Sequence, residues 1–140
     1  MYNDTVTLFN RLHAKTGDTW YPTVLTGVNL NRDKGAITAR YGAESADTAI
    51  LNVALPSTPT WYTPKAWAEL TDHTEGITFA GGQFFDFFID GEWEDAAPIS
   101  DKDYTEGFYN YMAKTRDYVY AVTGVNGPFS VIPHLEVTGR

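Results

Sequence analysis

Carboxylates are the most concentrated reactive groups in this chain. Eight of its 18 acidic side chains fall between residues 86 and 106: Asp86, Asp90, Glu92, Glu94, Asp95, Asp101, Asp103 and Glu106, with Lys102 the sole cation among them. Residues 1–70 carry six basic and six acidic side chains, so the net charge of −8 resides in the second half. Such a cluster suits a calcium site, a pair of catalytic carboxylates or a repulsive surface. Calcium needs oxygen ligands converging from a tight loop, and Asp90-Gly91-Glu92-Trp93-Glu94-Asp95 lacks the EF-hand spacing. Glycoside hydrolysis needs two carboxyls roughly 5–10 Å apart. On an extended strand Asp86 and Asp90 are ~13 Å apart, at ~3.3 Å per residue. The expectation is therefore no metal site. Asp86, Asp90, Glu92, Glu94 and Asp95 are expected to form an acidic surface facing a lumen or a neighbouring subunit.

Other chemistry is sparse. His13, His73 and His134 stand apart in sequence, without a nucleophile elbow, P-loop or HExxH motif. There is no cysteine for thiolate chemistry, zinc or disulfides. No catalytic constellation and no cofactor are expected. Ten cations against 18 acids argue against a protein that tracks a nucleic-acid backbone, which needs Lys and Arg at the phosphates. No run approaches the ~18 apolar residues of a membrane span. The opening residues show no basic stretch ahead of an apolar one, so no secretory signal is expected.

The aromatic residues are the second excess, with 4 Trp, 9 Tyr and 8 Phe. Phe85, Phe87, Tyr118 and Tyr120 alternate as core positions do. Trp61, Tyr62 and Trp67 lie in a proline-bounded, irregular segment and are candidate interface anchors, since exposed aromatic rings serve protein interfaces or sugar stacking. Arg32, Lys34 and Arg40 are candidate partners for the acidic half of another copy. Glu44 and Asp47 join them as candidate interface residues on a loop.

The elements that must position these side chains are mostly short strands. Thr5 to Leu12 alternates in β-branched and aromatic residues, and a turn at Thr16-Gly17-Asp18 leads to Trp20–Val28, which predicts a hairpin. Pro22 removes a ladder donor, so this second strand belongs at an edge or carries a bulge. Ala36–Arg40 is a short strand candidate and Gly42–Thr48 an exposed loop. Ala49–Leu55 is an apolar strand. Thr63-Pro64 predicts a helix start with proline at the first position, continuing to Leu70. Gly76–Phe79 and Phe84–Asp90 follow as strands, the latter with Phe85, Phe87 and Ile89 on one face and Phe84, Asp86, Phe88 and Asp90 on the other. Ser100 predicts the cap of one helix over 101–114, with Tyr104, Phe108, Tyr111 and Met112 on one stripe. Gly107 inside it costs ~1 kcal/mol relative to Ala. Tyr118–Thr123 alternates, Asn126-Gly127 signals a two-residue hairpin turn, and His134–Thr138 closes the chain. At 140 residues this is one domain. Seven or eight short strands without βαβ alternation predict a mainly β fold, a small barrel or sandwich with one helix packed on it.

The order of these segments resembles a family. "DTVTLFNR" leads into "TWYPTVLTGVNL", then come a polar loop, an apolar strand, "YTPKAW", "FFDFFIDGEW" and the ending "DYVYAVTGVNGPFSVIPHLEVTGR". This is similar to the small head-tail joining proteins (head-closure, head-completion or stopper proteins) of tailed phages and prophages of Gram-positive bacteria. The resemblance implies a β-barrel subunit that assembles into a ring, commonly of twelve, with no enzymatic residues. It implies a place in the virion neck, between portal and adaptor above and tail terminator below, where DNA passes without specific binding and no membrane is involved. A tail-terminator-like neck protein, or a carbohydrate- or protein-binding β-sandwich module, are the alternative readings.

Overall fold

The computed structural model describes residues 2–33 and 48–140. Lys34, Arg40, Glu44 and Asp47, the strand expected over 36–40 and residues 42–47 of the loop expected over Gly42–Thr48 lie outside the described residues, while Thr48 itself belongs to a strand. Nine strands are described: β1 (Asp4–Leu12), β2 (Thr19–Asp33), β3 (Thr48–Ala54), β4 (Thr60–Trp61), β5 (Gly76–Ile77), β6 (Phe87–Asp90), β7 (Ile99–Ser100), β8 (Val119–Phe129) and β9 (His134–Gly139). Two α-helices, α1 (Pro64–Ala68) and α2 (Phe108–Thr115), accompany them. Six strands close a barrel in the order β1-β6-β8-β9-β3-β2, the β1–β2 pairing completing the circle, and β7 extends it as a seventh strand beside β2. All pairings within this sheet are antiparallel. Between the two outcomes left open by the strand pattern, the molecule is the barrel.

The alternation of β1 sorts its side chains. Val6 and Leu8 point inward and pair across to Leu25 and Thr23, while Phe9 and Arg11 point outward opposite Pro22 and Trp20. From β3 and β9 the inward pairs are Ala49–Gly139, Leu51–Val137 and Val53–Leu135. With Phe88, Tyr120 and Val122 they fill the interior. A Cβ on Gly139 would sit 2.9 Å from both the Phe88 ring and Tyr120 Cβ, so the barrel closes tightly only with glycine there.

The predicted hairpin of β1 and β2 is present, but β2 runs on to Asp33. Residues 19–28 of it pair with β1 and its last five residues pair with β3, so one strand turns a barrel corner. The register shift between Asp4 and Thr5 leaves Gly27 as the extra residue, at φ +65°. Pro22 lies beyond the two β2 residues that β7 covers, as an edge position requires.

Two further expectations are corrected. The helix foreseen over 101–114 is two pieces, a 3₁₀ turn at Asp101–Asp103 and α2. Gly107 is the residue before α2, at φ +88°, a conformation L side chains resist, so it divides the segment. The cap comes from a distance, as Asp101 Oδ1 accepts the Phe108 N–H at 2.8 Å and the Trp20 indole N–H at 2.8 Å. The Asn126-Gly127 turn is likewise absent: β8 continues through it with a register shift to Phe129, and the chain reverses at residues 130–133.

Candidate functional site

The acidic run does not form one patch. Asp86 is 1% exposed and is no part of an outward surface. One carboxylate oxygen accepts the Arg11 N–H at 2.8 Å and the other the Ala80 N–H at 2.7 Å. Its backbone N–H donates to Ala80 O and its carbonyl accepts from Val122 N–H. The residue thereby ties β1, the run after β5 and β8. Burial pushes its carboxyl up to about 7, against the pull of those N–H groups, of Asn10 and of the Arg11 charge. Asp90 sits half-buried and pairs with Arg32 at 3.4 Å within the same chain. Asp101 serves as the cap, and Glu106 pairs with Lys114. Only Glu92, Glu94 and Asp95 of the five expected patch residues are openly exposed, on the connection between β6 and β7. Among the described residues no three His, Cys, Asp or Glu side chains are placed to hold a metal ion.

The aromatic anchors are also relocated. Trp67 is 2% exposed, its indole N–H donates to Gly76 O at 3.0 Å, and it meets Tyr21 and His73 edge-on. Trp61 is half-buried against the barrel core, and Tyr62 is half-buried over Gly76 with its N–H on Ile77 O. Prolines here do not leave the chain irregular. They bound a small cap in which β4 and β5 pair in parallel around α1. Of the alternating aromatics, Phe87 and Tyr120 are buried, Phe85 is half-buried and Tyr118 is exposed, at φ +62°.

The open apolar residues are elsewhere. At the reversal between β8 and β9, Val131 is 93% and Ile132 72% exposed, with Phe129 beside them at 40%. His134 braces this tip, its ring 4.8 Å from the Phe129 ring and its Nδ1–H donating to Ile132 O at 2.6 Å. The sequence signal was present as Ser130-Val131-Ile132-Pro133, two β-branched residues between a turn former and a proline. The stronger two-residue turn signal at Asn126-Gly127 masks it in the sequence.

A cleft of about 370 Å³ opens beside Asp86, between the end of β1, α1 and residues 78–84. His13 stacks on Phe84 at 3.9 Å and pairs with Asp18 at 2.7 Å along its rim. Thr78, buried at its base, pairs through its backbone with the Asn10 side chain.

These features define a closed antiparallel β-barrel with an apolar hairpin tip and one buried acid. The chain belongs to the family of unknown function DUF6751, which matches residues 1–140. No curated protein and no solved structure matches it.

Proposed function

We propose that this protein is a structural virion component of a tailed phage, a head-closure subunit that forms the ring joining the DNA-filled head to the tail. The observation that carries this reading is the tip at Phe129, Val131 and Ile132. A hairpin end with two nearly bare β-branched residues costs solubility in a free monomer and suits insertion into another subunit. Ring closure requires a heterologous contact, one patch meeting a different patch on the next copy. The order of segments adds the neck location, with portal or adaptor and tail terminator as further partners and twelve as the expected copy number. Glu92, Glu94 and Asp95 are the residues assigned to the lumen, where negative charge keeps passing DNA from binding. The reading assigns no catalytic step and no cofactor.

Sedimentation and negative-stain imaging of the purified chain test it, together with antibody labelling of particles. Ring-sized species, lost in a Val131→Ser/Ile132→Ser variant that melts like the parent, support the proposal, as does label at the neck. A chain that stays monomeric at high concentration and labels no particle overturns it.

A further inference from the structure

Another cleft, of about 310 Å³, lies where the start of α2 meets the end of β1. That is within the size range of small-ligand sites. Its floor is aromatic. The Arg11 guanidinium carbon sits 4.4 Å from the Trp20 ring centre and 4.7 Å from that of Phe85, and Tyr109 meets Phe85 edge-on at 4.8 Å. The polar groups around this floor are only partly used. Arg11 donates from Nε to Phe85 O and from Nη1 to Asp18, which leaves Nη2 without a partner among the described residues. Asp101 takes both of its donors on Oδ1, so Oδ2 is open. Asn110 donates from Nδ2 to Glu106 O and keeps its amide oxygen, and the Tyr109 hydroxyl has no partner among the described residues. Spare donors and spare acceptors thus surround one aromatic floor.

We propose that this cleft binds one ring of a neutral saccharide, its C–H face on Phe85 and Tyr109 and its hydroxyls on Arg11, Asp101 and Asn110. Charge selects the class. The Asp101 carboxylate repels an anion, and the Arg11 guanidinium repels a cation. Burial pushes the Tyr109 phenol up, so it stays a neutral donor. An uncharged ligand with several hydroxyls answers both the donors and the acceptors, and an apolar face answers the rings. Trp20 is 1% exposed, so its ring backs the floor through Arg11 and the contact surface is the two half-buried rings. Glu106 and Asn110, both exposed, form the outer rim, which admits a free sugar or the end of a longer glycan. The site uses nothing from the hairpin tip and is independent of ring assembly.

Nuclear magnetic resonance of the isotope-labelled chain, titrated with methyl glycosides of glucose, galactose, mannose and N-acetylglucosamine and with the matching trisaccharides, tests it. At least one sugar should shift the Trp20 indole and Asn110 amide signals saturably, with a Kd of about 1 mM, the strength open to a ligand of about a dozen heavy atoms. Tyr109→Phe and Asn110→Ala should each weaken that binding about three- to tenfold while melting like the parent. Tyr111→Phe, outside the cleft, should leave it unchanged. A trisaccharide that binds tighter than its methyl glycoside identifies a glycan chain as the source, equal binding identifies a free sugar, and both support the proposal. No saturable shift with any of these probes up to tens of millimolar overturns it, as does binding that both variants leave intact. Where a variant fails to fold, the parent decides: saturable shifts confined to residues away from the cleft refute the site.

Discussion

The two outer sides of the barrel are built differently. Outside β1, β6 and the first half of β2 lies a second apolar layer of Phe9, Trp20, Phe87, Ile89, Phe108 and Met112, shielded by α2 and the connection between β6 and β7. Phe9 stacks on Phe87 at 4.7 Å, and Phe108 meets Phe9 edge-on at 5.3 Å. Outside β3, β9 and the last part of β2 there is no such layer among the described residues. Asn52 and Asn31 donate to Asn29, Thr123 bonds Thr138, and Ile50 is 42% exposed. On the first side β1 is buried on both faces from Val6 to Asn10, and β6 reads as a continuous apolar run of Phe87, Phe88 and Ile89. Strands on the second side alternate apolar and polar. The difference teaches that burial on the first side is completed by α2 and the connection between β6 and β7, whereas among the described residues no second layer covers the other side and the tip at Val131 and Ile132 is exposed.

Substitution should expose this difference between the two sides most strongly at the helix. Phe108→Ala empties the middle of the aromatic layer and is expected to cost ~3–5 kcal/mol in chemical denaturation. Ile50→Ala, across the barrel, should fall within about 0.5 kcal/mol of the parent. Comparable losses at both positions would show that the second side is as tightly integrated as the first.

The acid at the barrel end comes next. The Asp86 carboxyl is raised from 3.8 to about 7 in the folded protein. A folded state that binds the proton more tightly than the unfolded chain is most favoured below pH ~4. It loses that advantage as pH climbs to about 7, at roughly 1.4 kcal/mol per unit of difference. Stability followed from pH 4 to 7 should therefore carry a downward contribution that Asp86→Asn removes. An unchanged slope in the variant would assign the pH dependence to other groups.

Asp101 sharpens the comparison at the join of helix and barrel. Its Oδ1 serves both the Phe108 N–H and the Trp20 indole, so Asp101→Ala leaves two donors without that acceptor. A loss of ~1–3 kcal/mol is expected, with the loosened α2 visible as faster exchange of its first amides. A loss below ~0.5 kcal/mol would mean that water replaces the carboxylate at no net cost.

Periodicity reveals much of this fold, and long-range partners hide the rest. In β6 the alternation of Phe87, Phe88 and Ile89 correctly separates the two faces, because both the barrel and the outer layer demand apolar residues there. The break at Gly107 is not apparent locally, since helix spacing continues across it and the deciding partner, Asp101, acts by folding back. Asp86 looks like its acidic neighbours because charge runs show composition, whereas burial is set by strands far away in sequence. Trp67 misleads for the same reason: prolines mark the ends of its segment but say nothing of the barrel it packs on. Val131 and Ile132 were visible as residues and missed as a site, because a turn signal four residues earlier claimed the reversal.

The smallest expected effect lies where the two sides meet. Arg32 near the end of β2 was a candidate partner for another copy's acids, yet it lies 3.4 Å from Asp90 of its own chain and 4.1 Å over the Tyr118 ring. Both charged side chains are about one-third exposed, at 30% and 36%. An ion pair so open to water is worth ~0.2–1 kcal/mol, and salt screens it further. A double-mutant cycle of Arg32→Ala and Asp90→Ala should give a coupling in that range that shrinks at high salt. Arg32→Ala alone should cost slightly more than the coupling, because the guanidinium also covers the tyrosine ring. A coupling near zero, with particle assembly weakened by Arg32→Ala, would instead return Arg32 to a contact between copies and leave Asp90 as a bystander.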